Sequence, residues 1–275
     1  MLTVGPPPRP SPAAREREQA IALRGVGKTY LTRDAEVQAV ARVDAEIAEG
    51  EFVSILGPSG CGKSTLLMMI AGLEAPSSGE VIVEGRAVTG PRRENGLIFQ
   101  DATLLPWKTA LDNVLFPIRM MRLPVAQYEE RARALLRQVG LAGFEGKRPH
   151  ELSGGMRQRV AICRALVHDP KTLLMDEPFS ALDAITRDEM NETLVDIWER
   201  EHKTGVFITH SIREAVFLSD RVLVMTGRPS TIALDLTVPF PRPRRPEIQE
   251  TAEFGRLCGM LKAKIEAGYG RMKAA

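Results

Sequence analysis

The sequence has few cysteines and no long apolar run. Three of its 275 residues are cysteines, Cys61, Cys163 and Cys258, and their wide spacing fits neither a metal motif nor a disulfide framework. This usage predicts free thiols in a reducing cytoplasm. Each apolar stretch is interrupted by a charge or a glycine before it reaches the ~20 residues of a membrane span. The sequence therefore predicts a soluble or peripheral protein.

The chain also lacks a strong excess of one charge and an export signal. It has 37 basic and 35 acidic residues, a formal net charge of +2, which gives no electrostatic argument for nucleic-acid binding. Residues 1–19 are rich in proline and contain no apolar signal core, so they are predicted to form a disordered leader. The remaining length suits one large α/β domain with a subdomain and tails.

A glycine-rich stretch of nine residues, the P-loop, stands out among the motifs that are present. It follows the apolar run 52–56, precedes a helix-forming segment and has the form G-x-x-x-x-G-K-[ST]. A strand, a glycine-rich turn and a helix N-terminus together bind phosphate through backbone amides. We expect Lys63 to contact the terminal phosphates of a nucleoside triphosphate and Ser64 to ligate Mg²⁺. The residues expected to bind the nucleotide are Gly57, Pro58, Ser59, Gly60, Cys61, Gly62, Lys63, Ser64 and Thr65.

Three further apolar stretches are predicted to be strands that end in polar residues. They are 96–99 before Gln100, 172–175 before Asp176 and Glu177, and 206–209 before His210. Ligands of open α/β sheets bind at the carboxyl ends of the strands. We therefore expect Gln100 to reach the metal or the attacking water, and Asp176 to ligate Mg²⁺. Glu177 is suited to polarise the attacking water, and His210 to hydrogen-bond the γ-phosphate.

A second glycine-containing turn lies at Leu152-Ser153-Gly154-Gly155, the signature segment. Ser153 is a predicted N-cap, and a strongly helix-forming run covers residues 158–167. A turn of this kind at a helix N-terminus is a second anion site. Because one nucleotide does not need two phosphate-binding turns, we expect the second turn to serve a nucleotide that another copy of the chain holds.

The remaining pattern divides the chain into segments. Residues 101–160 are dominated by helical patterning and are predicted to form an inserted helical subdomain. Within them, apolar residues recur at i, i+3, i+4 and i+7 over 125–139, and Gly140 ends that helix. Two alternating stretches before the P-loop predict a flanking antiparallel sheet. Residues 237–275 are predicted to form a stiff linker rich in proline and arginine, followed by a C-terminal helix.

Four features allow two interpretations each. Cys61 is either an oxidation-sensitive thiol or a small residue in a permissive position. Tyr30 either stacks on a purine ring or is a half-buried strand residue. The loop Leu104-Leu105-Pro106-Trp107 either docks a partner or packs inside the helical subdomain. The arginines of residues 242–245 either contact anionic lipid headgroups or lie in a solvated linker.

The order of these elements resembles the nucleotide-binding subunit of ATP-binding cassette (ABC) transporters. The elements of that family are matched, in its order, by an A-loop at Tyr30, Walker A at 57–65, a Q-loop at Gln100, the signature segment at 152–155, Walker B at Asp176-Glu177, a D-loop at Ser180-Ala181-Leu182-Asp183 and a switch histidine at His210. The resemblance implies an α/β P-loop NTPase core over residues 20–236, with a flanking antiparallel β subdomain and the helical insertion. It also implies that Ser153, Gly154, Gly155, Gln158 and Asp183 contact ATP.

The resemblance further implies partners. Two copies would form a head-to-tail dimer, with each ATP and its Mg²⁺ between the Walker A motif of one copy and the signature segment of the other. The dimer would drive integral-membrane permease subunits from the cytoplasmic face of the inner membrane, without nucleic acid. The loop at 104–107, Gly227-Arg228-Pro229 and Pro241-Arg242-Pro243-Arg244 resemble the nitrate, sulfonate, taurine and bicarbonate importer group, whose members also work with a periplasmic solute-binding protein. Ser230 and Met156 depart from the usual glycine and glutamine, and the sequence does not specify the solute.

Other functions compete with import. One is the ATPase subunit of a lipid or drug exporter. Another is a soluble cassette ATPase that acts on DNA or ribosomes, although the chain has one P-loop only and no long coiled-coil or zinc-hook insertion. A third is a small-molecule P-loop kinase, which has no use for the signature segment or for His210.

Overall fold

The computed structural model describes residues 18–31, 35–180 and 182–272 of the chain. These residues belong to two compact units. Unit 1 contains the residues up to Pro91 and those from His210 onward, and unit 2 contains Arg92–Thr209. Nearly all of the predicted disordered leader, and Ala181 of the predicted D-loop, lie outside the described residues.

Unit 1 is built on a mixed sheet. Its strands, numbered in chain order, are β1 (Gln19–Leu31), β2 (Glu36–Ala48), β3 (Phe52–Leu56), β4 (Ser78–Val83), β5 (Arg86–Ala87), β9 (Arg221–Met225) and β10 (Ser230–Thr237). Neighbouring strands follow the order β5-β4-β1-β2-β10-β9-β3. β1 pairs antiparallel with β2 and β4, as predicted, whereas β3 lies parallel to β9. All five residues of β3 are buried, which is typical of a parallel strand covered on both faces.

Three helices of unit 1 are α1 (Lys63–Ala71), α7 (Ile212–Leu218) and α8 (Ala252–Met272). α1 ends at Gly72, as predicted, in a left-handed conformation with φ of 73°. A side chain at Gly72 would place its Cβ only 2.0 Å from the carbonyl oxygen of Gly90. Glycine is therefore required at this helix end by the left-handed backbone and by the short distance to Gly90. Among the described residues, we find no helix with the length and apolar character needed to cross a membrane.

Unit 2 contains three parallel strands and five helices within the described residues. The strands are β6 (Asn95–Ile98), β7 (Thr172–Asp176) and β8 (Thr204–Ile208), with β7 between the other two. The helices are α2 (Ala110–Val114), α3 (Phe116–Met120), α4 (Val125–Gln138), α5 (Gly154–Leu166) and α6 (Ala184–Glu201). α4 matches the helix predicted from periodicity, and its residues Ala132, Leu135 and Leu136 are buried as that pattern requires.

The proline- and arginine-rich segment after β10 differs from its prediction, because two of its arginines are packed into unit 1. The Arg244 side chain is only 1% exposed. Its guanidinium donates hydrogen bonds to the carbonyl oxygens of Val216, Phe217, Ser219 and Phe240. Arg242 donates to the carbonyl of Leu218 at 2.6 Å and to the carboxylate of Asp220 at 2.9 Å. Carbonyls at a helix C-terminus have no partner within the helix, so these arginines cap α7, Arg244 from a buried position and Arg242 from a partly exposed one.

This capping role predicts the effect of Arg244→Met. The substitution keeps the apolar stem but leaves several buried carbonyls without a donor, so the free energy of unfolding should fall by about 3 kcal/mol. Urea denaturation measures the change. Arg245→Met is the matched control, because the neighbouring Arg245 is exposed, and it should change the free energy by less than about 0.5 kcal/mol. Equal stability of the two variants would contradict the capping role.

Candidate nucleotide-binding site

The P-loop in unit 1 connects β3 to α1 through a backbone that needs glycine. Gly62 immediately precedes Lys63, the first residue of α1, and has a φ of 108°. A Cβ at Gly62 would lie 3.1 Å from Cγ2 of Val40 and 3.2 Å from the carbonyl oxygen of Ala39. A larger residue would therefore be strained in its backbone and crowded against β2. Ser64 and Thr65 occupy the first turn of α1, while Ser59 and Gly60 are exposed in the loop.

Lys63 is held inside the P-loop. Its side chain is buried, with 5% of the residue exposed. The ammonium donates to the carbonyl oxygens of Gly57 and Pro58, both at 3.0 Å. These carbonyls are neutral acceptors, so a polyphosphate bound in the loop would add formal negative charge opposite a positioned cation. The loop thus fits the phosphates of a nucleotide.

Tyr30 lies near the start of α1, in the same unit as the P-loop. It is near the end of β1, and its hydroxyl donates to Oγ1 of Thr65 at 3.4 Å. The residue is 37% exposed, so part of the ring is accessible to a ligand. The hydroxyl thus contacts a predicted nucleotide-binding residue, and stacking of the ring on a purine stays a prediction.

Cys61 packs beneath the P-loop. It is almost fully buried, and a Cβ at Gly57 would lie 3.0 Å from its Sγ. Burial raises the pKa of the Cys61 thiol, an effect that nearby Lys63 partly opposes. Because the thiolate is the form that reacts with oxidants, the raised pKa disfavours oxidation at neutral pH. The structure thus favours the interpretation of Cys61 as a small packing residue.

Glu177 in unit 2 has an unusual backbone conformation. It follows Asp176, the last residue of β7, and has a φ of 43°. Its backbone N–H donates to the carbonyl of Ile208 at 3.0 Å, and its carbonyl accepts from the backbone N–H of Ser180 at 3.2 Å. A non-glycine residue in this left-handed conformation costs about 1–3 kcal/mol. Five other described non-glycine residues also have a positive φ, so this conformation alone does not mark Glu177 as catalytic.

Helix α5 holds the Q-loop segment around Gln100. Gln100 itself is exposed, two residues beyond β6. Nε2 of Gln158 donates to the carbonyl of Phe99 at 3.1 Å, and Gln158 is buried. On the other side of Gln100, the Arg164 guanidinium donates to the carbonyls of Ala102 at 2.8 Å and Thr103 at 2.9 Å. The Gln158 side chain therefore supports the Q-loop segment of its own unit, and its contact with ATP stays a prediction.

The signature segment has the predicted capped helix start. Oγ of Ser153 accepts a hydrogen bond from the backbone N–H of Met156 at 3.2 Å, and α5 begins at Gly154. Ser153 and Gly154 are exposed, so this helix N-terminus is accessible. Asp183 similarly caps α6, because its carboxylate accepts from the backbone N–H and the hydroxyl of Thr186 at 3.0 and 2.8 Å. These backbone and hydroxyl hydrogen bonds lower the pKa of Asp183.

The loop at 104–107 is hydrogen-bonded to Asn113 at its base and exposed at its tip. Asn113 is fully buried, and its Oδ1 accepts from the backbone N–H of Leu105 at 2.7 Å. Its Nδ2 donates to the carbonyls of Leu105, Lys108 and Thr109. Trp107 is nevertheless 67% exposed. Of the two interpretations of this loop, exposure of the indole favours a docking surface over packing within the unit.

Three cations near these segments were not predicted from the sequence. Arg164 holds the Q-loop segment, Arg228 donates from its Nε to the carbonyl of Gly60, and Lys28 lies over the ring of Tyr30. Arg228 belongs to the Gly227-Arg228-Pro229 motif, for which the sequence suggested a resemblance to the importer group but no contact with the P-loop.

His210, the predicted switch histidine, is exposed. It precedes Ser211, whose Oγ accepts a hydrogen bond from the backbone N–H of Glu214 and so caps α7.

The fold and these segments together define a P-loop nucleoside triphosphatase. Residues 40–180 match the family model described as ABC transporter. The chain is 44% identical to the nitrate import ATP-binding protein NrtD of Synechococcus elongatus, over 90% of this chain and 92% of that protein. It is 48% identical to the taurine import ATP-binding protein TauB of Burkholderia thailandensis, over 79% of this chain and 84% of that protein.

A solved structure supports the same assignment. The dimeric ATP-binding cassette MJ0796, in a post-hydrolysis state bound to ADP and Pi, is similar with a TM-score of 0.72 and 33% identity, over 80% of this chain and 100% of that chain. The chain therefore belongs to the ABC transporter family, and it is an ATP-binding ATPase. The predicted family and the predicted P-loop NTPase fold are confirmed.

Proposed function

We propose that this chain is the ATP-hydrolysing subunit of an importer for small solutes of the nitrate, sulfonate, taurine and bicarbonate kind. The observation that carries the proposal is the high identity, over most of both chains, with proteins named for nitrate and taurine import. An ABC ATPase with such relatives supplies the energy for transport, while the solute is recognised by other subunits.

In this proposal, each segment of the site has one role. The P-loop and Lys63 bind the phosphates of ATP, and Tyr30 stacks on the adenine. Glu177 polarises the attacking water, and His210 contacts the γ-phosphate. The positioned Lys63 ammonium supports this assignment, because it holds a cation inside the phosphate-binding loop.

Mg²⁺ would be held by Ser64, Gln100 and Asp176. A hydroxyl, an amide oxygen and a carboxylate are the hard oxygen ligands that this ion prefers, so the residue types fit the metal. When bound, Mg²⁺ supplies positive charge that offsets the charge of the phosphates. The residues of the chain bind and orient the ATP and hold the water for attack.

The proposed active form is a head-to-tail dimer of two copies. The accessible N-terminus of α5, with Ser153, Gly154 and Gly155, suits the phosphates of an ATP held by the other copy. Asp183 of the D-loop is also proposed to approach that nucleotide. The dimeric state of the similar cassette MJ0796 supports this arrangement.

The proposed partners lie in and beyond the membrane. We assign the exposed Trp107 loop as the surface that docks the permease, at the cytoplasmic face of the inner membrane. A periplasmic solute-binding protein would deliver the solute, and nucleic acid has no part in the cycle. The exporter alternative predicts the opposite direction of solute movement, and a soluble cassette predicts no permease.

The chemical assignment predicts the behaviour of Glu177→Gln. Loss of the carboxylate removes the base but none of the phosphate contacts, so the turnover number should fall at least about 100-fold. The ATP dissociation constant should change less than about twofold, and a dimer with bound ATP should accumulate. Steady-state phosphate release and equilibrium binding measure these effects. Glu192→Gln, at an exposed position on α6, is the control, and rapid hydrolysis by Glu177→Gln would contradict its role.

The docking assignment predicts the behaviour of Trp107→Ala. Truncation of this exposed indole should lower the yield of permease that co-purifies with the tagged chain about tenfold, while ATP binding by the isolated chain is retained. Met260→Ala, an exposed apolar position on α8, is the control. In proteoliposomes, the co-purified complex should move solute toward the side that holds ATP. Movement away from the ATP side, or an unchanged permease yield with Trp107→Ala, would contradict the proposal.

A further inference from the structure

Lys28 is a cation at the nucleotide site for which the proposed function has no role. It lies two residues before Tyr30 on β1, where the pairing of β1 with β2 shifts register between Lys28 and Thr29. Its ammonium is 5.0 Å from the centroid of the Tyr30 ring. This separation is within the range of cation–π attraction.

The Lys28 ammonium is fixed by two further contacts. It forms a salt bridge with the carboxylate of Glu74 and donates to the carbonyl of Ala75 at 2.7 Å. Both acceptors follow α1 in the chain, and only 12% of the Lys28 side chain is exposed. A lysine held in this way remains beside the ring, because its usual rotamer freedom is already lost.

Tyr30 is thereby fixed at two points. Its ring lies beside the Lys28 ammonium, and its hydroxyl bonds Thr65 in the first turn of α1. β1 is also tied to the segment after α1 by a hydrogen bond from the backbone N–H of Thr29 to Oγ of Ser77 at 3.1 Å. The 37% of the Tyr30 surface that is still exposed is accessible to a ligand.

We infer that Lys28 is a positioning residue that holds Tyr30 ready to stack on the adenine of ATP. The inference rests on the proposed role of Tyr30. A side chain that is already ordered loses less conformational entropy when the ligand binds, and this raises affinity. The cation also draws electron density toward its own face of the ring, which reduces repulsion between the other face and the π-electrons of a base. Lys28 therefore favours ligands that carry a base over bare polyphosphate.

The test compares ATP with inorganic tripolyphosphate, which occupies a phosphate site but has no base. For the full chain, Lys28→Met should raise the dissociation constant for ATP about three- to tenfold and leave that for tripolyphosphate within twofold. Lys28→Arg keeps a cation near the ring and should retain most of the ATP affinity. Arg24→Met is the matched control, because Arg24 lies on β1 like Lys28 and forms an exposed salt bridge with Glu80 of β4. Isothermal titration calorimetry in the presence of Mg²⁺ gives each constant.

A double-mutant cycle with Tyr30→Ala separates the possible failures. In the Tyr30→Ala background, Lys28→Met should have no further effect on ATP affinity, because the ring that Lys28 positions is gone.

Three outcomes would overturn the inference. If Lys28→Met weakens the binding of ATP and of tripolyphosphate equally, Lys28 has a structural role only. If Tyr30→Ala weakens ATP but Lys28→Met does not, the inference alone fails. If Tyr30→Ala leaves ATP affinity unchanged, the stacking role fails, and the inference fails with it. Lys28→Gln replaces Lys28→Met if the latter does not fold.

Discussion

The buried ammonium of Lys63 is the interaction on which the rest of the site depends. A lysine in this position is tolerated because the carbonyls of Gly57 and Pro58 accept its hydrogen bonds, and they do so only along the path that the P-loop backbone follows. That path requires a left-handed glycine at residue 62, where a Cβ would be crowded against β2. It also requires β3 to end at Leu56, and the complete burial of β3 fixes that strand. The sheet thus positions the Lys63 ammonium at the start of α1.

In unit 2, helix α5 combines two functions. Its N-terminus is the exposed signature turn capped by Ser153. The buried Gln158 and the partly exposed Arg164 hydrogen-bond the carbonyls on both sides of Gln100. Because a helix moves as a rigid body, a shift of the signature turn would be transmitted to the Q-loop segment and, a few residues further on, to the loop that carries Trp107. This connection gives a physical route between the nucleotide that α5 is proposed to contact and the permease proposed to dock on that loop.

The features that were predicted from the sequence depend on local signals. The P-loop, the cap at Ser153 and helix α4 are each specified within about fifteen residues by turn chemistry or periodicity. The features that were missed depend on distant partners. β10 pairs with β2, almost 190 residues away, and its alternation is weak. Arg244 looked like part of a solvated linker, because nothing in its neighbourhood reveals that the carbonyls of residues 216–219 lack donors. The burial of Gln158 was missed for the same reason.

The central claim is that ATP is hydrolysed at a site to which two copies of the chain contribute, and mixing two inactive variants tests it most directly. Lys63→Ala removes the phosphate-binding cation, and Ser153→Arg blocks the signature turn, so each homodimer should be inactive. In a mixed dimer, the intact Lys63 of one copy faces the intact Ser153 of the other. An equimolar mixture should therefore recover up to about a quarter of the wild-type phosphate release if the copies exchange at random. Full activity of Ser153→Arg alone, or no recovery in a mixture of folded proteins, would contradict the shared site.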